Sequence, residues 1–410
     1  MRAAIFLLPV WASALRPLPA ATTRRQLLQR STAAVTSTGL YVPLAAHADA
    51  CETDAAACEF VIPQQTLLAN LASAPVRHII VTGANSGVGL AGAKLLTAAG
   101  HDVTLACRTQ AKADAAAAAC MEYAASASAV GPAGKPDFYA GRRAGGIARG
   151  AECDLSSLAS VRSFVASRQG AQIDTLVLNA GLSLNVGDKE EQFTADGFEL
   201  TVGTNHLDHF ALATLLQPTL SKSALAPRLV VTASGVHDPT SGGGKQGGPE
   251  KWANLGDLKG LEGGKGFTMV DGGIYDPDKA YKDSKLCNML FMAEAARRWG
   301  GSGGVSDITV NAFSPGLIAD PNGFFRNQNK AFGSLFNGIS KAVGVAETND
   351  FAGSALAYLA VDPAMAGKTG GWYDALPLGK HSLGKHAPST EAQDVPKQKR
   401  LWELSEKLVA

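Results

Sequence analysis

Residues 77–100 read "RHIIVTGANSGVGLAGAKLLTAAG", and their reading decides the fold. Arg77 to Val81 carries the β-branched apolar run of a buried strand, and Ala91 to Ala98 carries a helical pattern. Between them stands Thr82-Gly83-x-x-x-Gly87-x-Gly89. Glycines let a backbone approach a pyrophosphate closely, and the N-terminus of the following helix offers free N–H groups and a positive dipole end. A glycine trio alone is a weak signal, but a strand before it and a helix after it fit a dinucleotide-binding turn. Gly83, Ser86, Gly87, Val88 and Gly89 are the expected contacts of that turn.

The next strand, "HDVTLACR", ends at Arg108, with Lys112 shortly after. An NAD-binding fold would place an acidic residue here for the ribose 2′-hydroxyl. An arginine suits a 2′-phosphate through bidentate contact, so NADPH is the expected cofactor; the competing reading is a solvated arginine at a strand end. Three further strand ends fall in series. "AECDLSS" brings Asp154 and Leu155 to the adenine, "IDTLVLNAG" brings Asn179, Ala180 and Gly181 beneath a ribose, and "PRLVVTASG" ends at Ser234. Ligands of open parallel sheets sit at the carboxyl ends of strands. The alternation predicts one α/β domain, a Rossmann-like doubly wound parallel sheet with helices on both faces.

Downstream, "DKAYKDSKLCNML" (278–290) sets Tyr281 and Lys285 four residues apart. On a helix such a pair shares one face. An ammonium near a phenol favours phenolate and lowers its pKa, making a better proton donor near neutrality. Taken alone, the pair also fits an ordinary surface helix.

Composition narrows the class. Of 410 residues, 46% are hydrophobic and 18% charged, and the net charge is +1. That describes a globular protein with ample core and gives no case for nucleic acid. No apolar run reaches the roughly eighteen residues of a membrane span. The first 48 residues hold five arginines, no lysine and no acid. "AAIFLLPVWASA" has the form of a signal-peptide core, and the stretch after it that of a transit peptide. Together they resemble the bipartite leader of algae whose plastid lies inside extra membranes. "TTRRQLLQ" also resembles a twin-arginine signal to the thylakoid lumen. Residues 1–70 are read as leader and linker, and 71–410 as the folded domain, with an insertion at 236–275 and a helical segment at 390–410. The six cysteines follow no metal-ligand spacing, so no metal is expected. Cys107, Cys120, Cys153 and Cys287 fit reduced thiols; Cys51 and Cys58 are candidates to pair in an oxidising space.

With the glycine turn, Asn179-Ala180-Gly181, Asn205, Ser234 and Tyr281-x-x-x-Lys285 in this order, the chain resembles the short-chain dehydrogenase/reductases. The resemblance implies that Tyr281 donates the proton, Lys285 lowers its pKa and holds the nicotinamide ribose, Ser234 positions substrate, and Asn205 anchors a relay water. A narrower likeness lies around these motifs. "GFELTVGTNHLDHF", "ANLGDLKGL", "AYKDSKLCNM", "GFFRNQN" and "EAQDVPKQKRLWELSEKLV" are similar to light-dependent protochlorophyllide oxidoreductases, from about Arg77 to the C-terminus. That family implies a plastid photoenzyme in which NADPH gives hydride to C17 of protochlorophyllide and Tyr281 protonates C18. The long Gly-rich insertion after Ser234 is expected to act as a functional lid. Together with residues 322–344 it is expected to supply an apolar pigment pocket. Leu317, Phe324 and Phe325 are the expected substrate contacts, and Pro315, Gly316 and Ile318 the nicotinamide contacts. The stripe Phe332, Leu335, Phe336 and Ile339 fits pigment contact as well as it fits the two alternatives, core packing and peripheral membrane contact, taken together. A homo-oligomer and peripheral contact with a thylakoid or other plastid membrane complete the expected partners.

Two positions depart from that family. Leu317 stands where it usually has a cysteine, which keeps the volume and loses a thiol. The segment at 121–150, rich in Ala, Gly and Arg, is longer than usual and reads as a surface loop. Two other functions share the same residues: a light-independent reductase of a lipophilic, retinoid-like carbonyl, and a pigment-binding protein that turns over poorly.

Overall fold

In the computed structural model, β2 (His78–Thr82) lies inside a sheet of nine strands among the described residues, between β5 and β3. Its residues alternate between two apolar layers: Ile80 packs into one, Ile79 and Val81 into the other. A strand buried on both faces has this continuous apolar sequence for that reason. The structure describes residues 58–129, 145–185, 187, 190–300, 307–318 and 346–410, all within the compact unit Leu44–Ala410.

The strands are β1 (Phe60–Pro63), β2, β3 (Asp102–Cys107), β4 (Ala148–Glu152), β5 (Thr175–Leu178), β6 (Arg228–Thr232), β7 (Thr309–Phe313), β8 (Trp372–Asp374) and β9 (Ser382–Lys385). The helices that matter here are α1 (Gly87–Ala98), α2 (Gln110–Ala129), α3 (Leu158–Ala166), α4 (Asp208–Leu220), α5 (Pro277–Trp299), α6 (Asn349–Val361) and α7 (Val395–Val409). The order across the sheet is β1-β9-β8-β7-β6-β5-β2-β3-β4. From β8 to β4 all neighbours are parallel, while β9 runs antiparallel to both β8 and β1. Chain order reverses between β2 and β5, and at such a switch point the carboxyl ends of the strands open a crevice. Helices α1, α2 and α6 cover one face of the sheet; α3, α4 and α5 cover the other, with α7 packed on that side.

Three features differ from the expectations. The fold begins before residue 71: Phe60–Pro63 pairs in register with Lys385–Ser382, and Leu67, Leu68 and Leu71 are buried. Cys58, just ahead of this strand, is disulfide-bonded, whereas Cys107, Cys120, Cys153 and Cys287 are free and buried. The segment at 121–150 is not a loop throughout. Alanine, the strongest helix former, carries α2 on to Ala129, and β4 starts at Ala148; residues 130–144 lie outside the described residues.

The insertion, expected as a lid, packs against α5 and α7. Leu255, Leu258, Leu261, Phe267 and Val270 join one apolar cluster with Leu401, Trp402, Leu404 and Leu408 of α7. Lysines of α5 pin it in place. Lys279 Nζ reaches the Asn254 carbonyl (2.9 Å), Asp271 (2.9 Å) and Asp283 (2.6 Å), and Lys282 Nζ reaches the Gln246 carbonyl (2.7 Å) and Asp278 (3.0 Å). Asp283 in turn accepts the Asn254 N–H at 3.0 Å. Buried charges persist only when paired in this way, so the insertion braces the helix that carries Tyr281 and Lys285. Among the described residues it gives the cleft only Val236.

Candidate active site

A cleft of about 460 Å³ opens at the carboxyl ends of β2, β3, β5 and β6, at the switch point. Its floor at one end is the glycine turn, with Gly83, Ser86, Gly87 and Val88 in the wall. Gly83 has φ +63, and a Cβ there would stand 2.8 Å from Ala180 Cα. Gly89 packs beneath the turn instead of lining the cleft: a Cβ on it would meet Asn179 Nδ2 at 2.5 Å and the Gly83 oxygen at 2.7 Å. Ser86 caps α1 without a side-chain bond, which leaves first-turn N–H groups for an anion.

Arg108 and Lys112, both exposed, stand at the mouth beside Asp154 and Leu155, with Arg108 Nε 3.8 Å from Asp154 Oδ1. Two cations at the end of β3 suit a phosphate on the ribose 2′-oxygen. Asn179, Ala180 and Gly181 follow along the wall. Thr82 fixes their backbone: its hydroxyl accepts the N–H groups of Asn179 (2.8 Å) and Ala180 (3.0 Å), and its carbonyl takes Asn179 Nδ2 at 3.0 Å. Close backbone approach, uncapped N–H groups and paired cations together fit a dinucleotide carrying a 2′-phosphate.

At the other end the cleft gathers Ser234, Tyr281, Lys285, Pro315, Gly316, Leu317 and Ile318. Ser234 follows β6, and its side chain hydrogen-bonds the Tyr281 hydroxyl. Lys285 Nζ donates to the Thr232 carbonyl at 3.1 Å and lies 5.7 Å from the Tyr281 ring centre. Leu317 is tied down by its carbonyl, which accepts the Glu347 N–H at 2.9 Å. Glu347 is held by His381, whose Nδ1 lies 2.5 Å from its carboxylate.

The electrostatics differ from the expectation drawn from Tyr281 and Lys285. Burial lifts the Tyr281 phenol well above its ordinary value, the Ser234 bond only partly opposing it. Burial also pushes Lys285 down to about 8. Burial thus outweighs the Ser234 bond, Asp278 acts in the same direction as burial, and Tyr281 is held as a neutral acid.

Asn205 stands behind the cleft wall, fully buried in a π-helical turn, Gly203–Leu207, ahead of α4. Its side-chain oxygen accepts the Leu182 N–H (2.9 Å), and its amide donates to the Leu182 carbonyl (2.9 Å) and to Ser284 Oγ (3.0 Å). Both amide protons are thus in use, and its main-chain oxygen lies 3.2 Å from His209 Nδ1. Phe324, Phe325 and the stripe from Phe332 to Ile339 lie outside the described residues. Sequence reasoning missed Thr82 as the bonding centre of the wall, Ser284 as the partner of Asn205, and Asn85, Leu182, Thr204 and Asn349 as lining residues. Ser284 was within reach, because it adjoins Lys285 in the motif; Asn349 arrives from a distant helix and gave no local signal.

No family model matches the chain. It is 39% identical over 344 residues to the chloroplastic protochlorophyllide reductase of Cucumis sativus, covering 81% of this chain and 77% of that one. The protochlorophyllide reductase of Avena sativa is 38% identical over 347 residues, 81% of this chain and 99% of that one. The chain belongs to the protochlorophyllide reductase family. The chloroplastic protochlorophyllide reductase A of Arabidopsis thaliana, 39% identical over 343 residues, spans the same 81% of the chain. Among solved structures, an uncharacterised protein from Mycobacterium Paratuberculosis is 27% identical with a TM-score of 0.56, over 83% of this chain and 96% of that one. A Pseudomonas aeruginosa protein solved as an NADP complex, 21% identical with a TM-score of 0.50 over 74% of this chain and 96% of that one, shares the fold. In this protochlorophyllide reductase family member the glycine turn, Asn179, Ser234, Tyr281 and Lys285 line one cleft, and the insertion is bonded to α5. Among the described residues no group of three or more His, Cys, Asp or Glu is placed to hold a metal ion. No described helix is long and apolar enough to cross a membrane.

Proposed function

We propose that this protein reduces protochlorophyllide to chlorophyllide in light, in the plastid, with NADPH as reductant. The observation that carries the chemistry is the Tyr281 hydroxyl, bonded to Ser234 and kept protonated by burial at the inner end of a dinucleotide cleft. The substrate and the plastid setting are supported by relatives named chloroplastic protochlorophyllide reductase and by the acid-free leader.

NADPH, when bound, supplies the hydride. The residues of this chain do the rest. Gly83 and the first turn of α1 seat the pyrophosphate, while Arg108 and Lys112 take the 2′-phosphate. Asn179, Ala180 and Gly181 support the ribose, with Lys285 beside it. The pigment's double bond takes hydride at C17 and the Tyr281 hydroxyl proton at C18, and the photon is absorbed by the pigment itself. Ser234 holds the phenol in line, and Lys285, with its proton easily exchanged near neutral pH, is placed to help return one to Tyr281. Val236, Leu317 and Ile318 present an apolar surface at that end, as a flat macrocycle requires.

Replacing Tyr281 with Phe tests the assignment. A positioned general acid contributes about 10²–10⁴ in rate, so chlorophyllide formation after a flash falls by about a hundredfold or more while NADPH affinity stays within about twofold. Unchanged product yield would remove Tyr281 from the proton step.

A further inference from the structure

The hydroxyl of Thr82 has two acceptor positions and one proton. Both acceptor positions are filled, by the N–H groups of Asn179 and Ala180. The proton must therefore point outward, and its nearest acceptor is His209 Nε2 at 2.9 Å; the Val177 carbonyl lies at 3.4 Å. In a neutral imidazole one nitrogen accepts and the other donates. With Nε2 accepting, the ring proton sits on Nδ1, 3.2 Å from the main-chain oxygen of Asn205. The ring is 3% exposed, and burial pushes its pKa down to about 4, the nearby Lys285 charge acting in the same direction. One tautomer of a neutral histidine satisfies every bond. A continuous chain of hydrogen bonds then runs from the ribose-supporting backbone, through Thr82 and His209, to the Asn205 carbonyl.

We propose that His209 is a positioning residue that locks the cofactor seat and the proton-delivery end of the site into one frame. Through Nε2 it fixes Thr82, and with it the backbone of Gly83, Asn179 and Ala180. Through Nδ1–H it occupies one lone pair of the Asn205 carbonyl and so aims the other. Its role at the proton-delivery end rests on the function proposed above; its role at the cofactor seat does not.

The two bonds can be separated in the full-chain protein. His209→Phe keeps the ring and loses both. His209→Gln keeps an acceptor near the Nε2 position, and His209→Asn keeps a donor near Nδ1. Loss of one buried hydrogen bond corresponds to about a tenfold change in an equilibrium or rate. We expect His209→Phe to weaken NADPH binding in darkness about tenfold and to slow the protonation that follows a flash about tenfold. Gln restores the first and Asn the second. Losses that follow only the melting temperature in all three variants, or a Phe variant with both quantities within about twofold of wild type, would overturn the proposal. Nitrogen NMR of the unaltered protein is an independent reading should the Phe variant not fold. A neutral His209 protonated on Nδ1 supports the frame, and one protonated on Nε2 refutes it. If the unaltered protein forms no chlorophyllide after a flash, the function above fails, and His209 is still judged by NADPH affinity and tautomer.

Discussion

Arg108 is more than half exposed and its nearest acid, Asp154, is 3.8 Å away, so its local ion pair is weak and its guanidinium is available to a phosphate. Charge-assisted hydrogen bonds are each stronger than neutral ones. Arg108→Ala is expected to weaken NADPH binding about ten- to a hundredfold and to leave NADH binding within about twofold; titrating both nucleotides in darkness checks it, and equal losses would deny Arg108 its contact with the 2′-phosphate. Asp208 presents a different problem. It is fully buried, and neither carboxylate oxygen has a hydrogen-bond partner among the described residues. Burial, then repulsion from Asp196 and Asp154, pushes its pKa up to about 8 from an ordinary 3.8. Between those values the folded state holds a proton that the unfolded state releases, so stability falls as pH rises through that window and the penalty is complete above about 8. Asp208→Asn, which cannot ionise, should therefore raise the melting temperature by a few degrees at pH 8.5 and hardly at all at pH 4.5. Equal shifts at the two pH values would mean that Asp208 does not carry this penalty. Nothing in the composition marks Asp208 as buried; the motif "TNHLDHF" hides it among residues of mixed polarity.

The edge strand β1 shows where sequence patterns stop. "FVIP" is too short for its alternation to stand out, and its partner β9 lies more than 300 residues away. No local signal reports a pairing that only the finished sheet supplies. The short helix Gln64–Leu68 after the strand, with the turn that follows it, buries Leu67, Leu68 and Leu71, and full burial of a leucine contributes about 1.5–3 kcal/mol. Three of them amount to roughly 5–9 kcal/mol, comparable to the whole stability of an ordinary domain. Deleting residues 1–57 should leave a cooperative thermal transition close to that of the full chain, whereas deletion through Leu71 should abolish it. A stable, NADPH-binding product of the longer deletion would show that β1 is dispensable. Helix α5 was more legible, because Tyr281 and Lys285 share a face at helical spacing and that face meets the cleft. Its other face was not: Lys279, Lys282 and Asp283 look like solvated charges in the sequence, yet each is buried or nearly so, holding the insertion.

At the scale of the molecule, the order of motifs was readable because a parallel sheet brings every strand's carboxyl end to one edge. The glycine turn, Arg108, Asp154, Asn179 and Ser234 end successive strands, and the switch between β2 and β5 brings them to a single cleft. What remained hidden were contacts between distant segments: Asn349 at the cleft, α7 against the insertion, and the network through Thr82 and His209. On the function proposed above, this cleft drives reduction of a pigment only after light. The direct test mixes the protein with NADPH and protochlorophyllide in darkness, records the red absorption band, applies one flash, and records it again. A band that is constant in darkness and shifts to that of chlorophyllide after the flash is the predicted result; conversion in darkness, or none after repeated flashes of bound pigment, would contradict it.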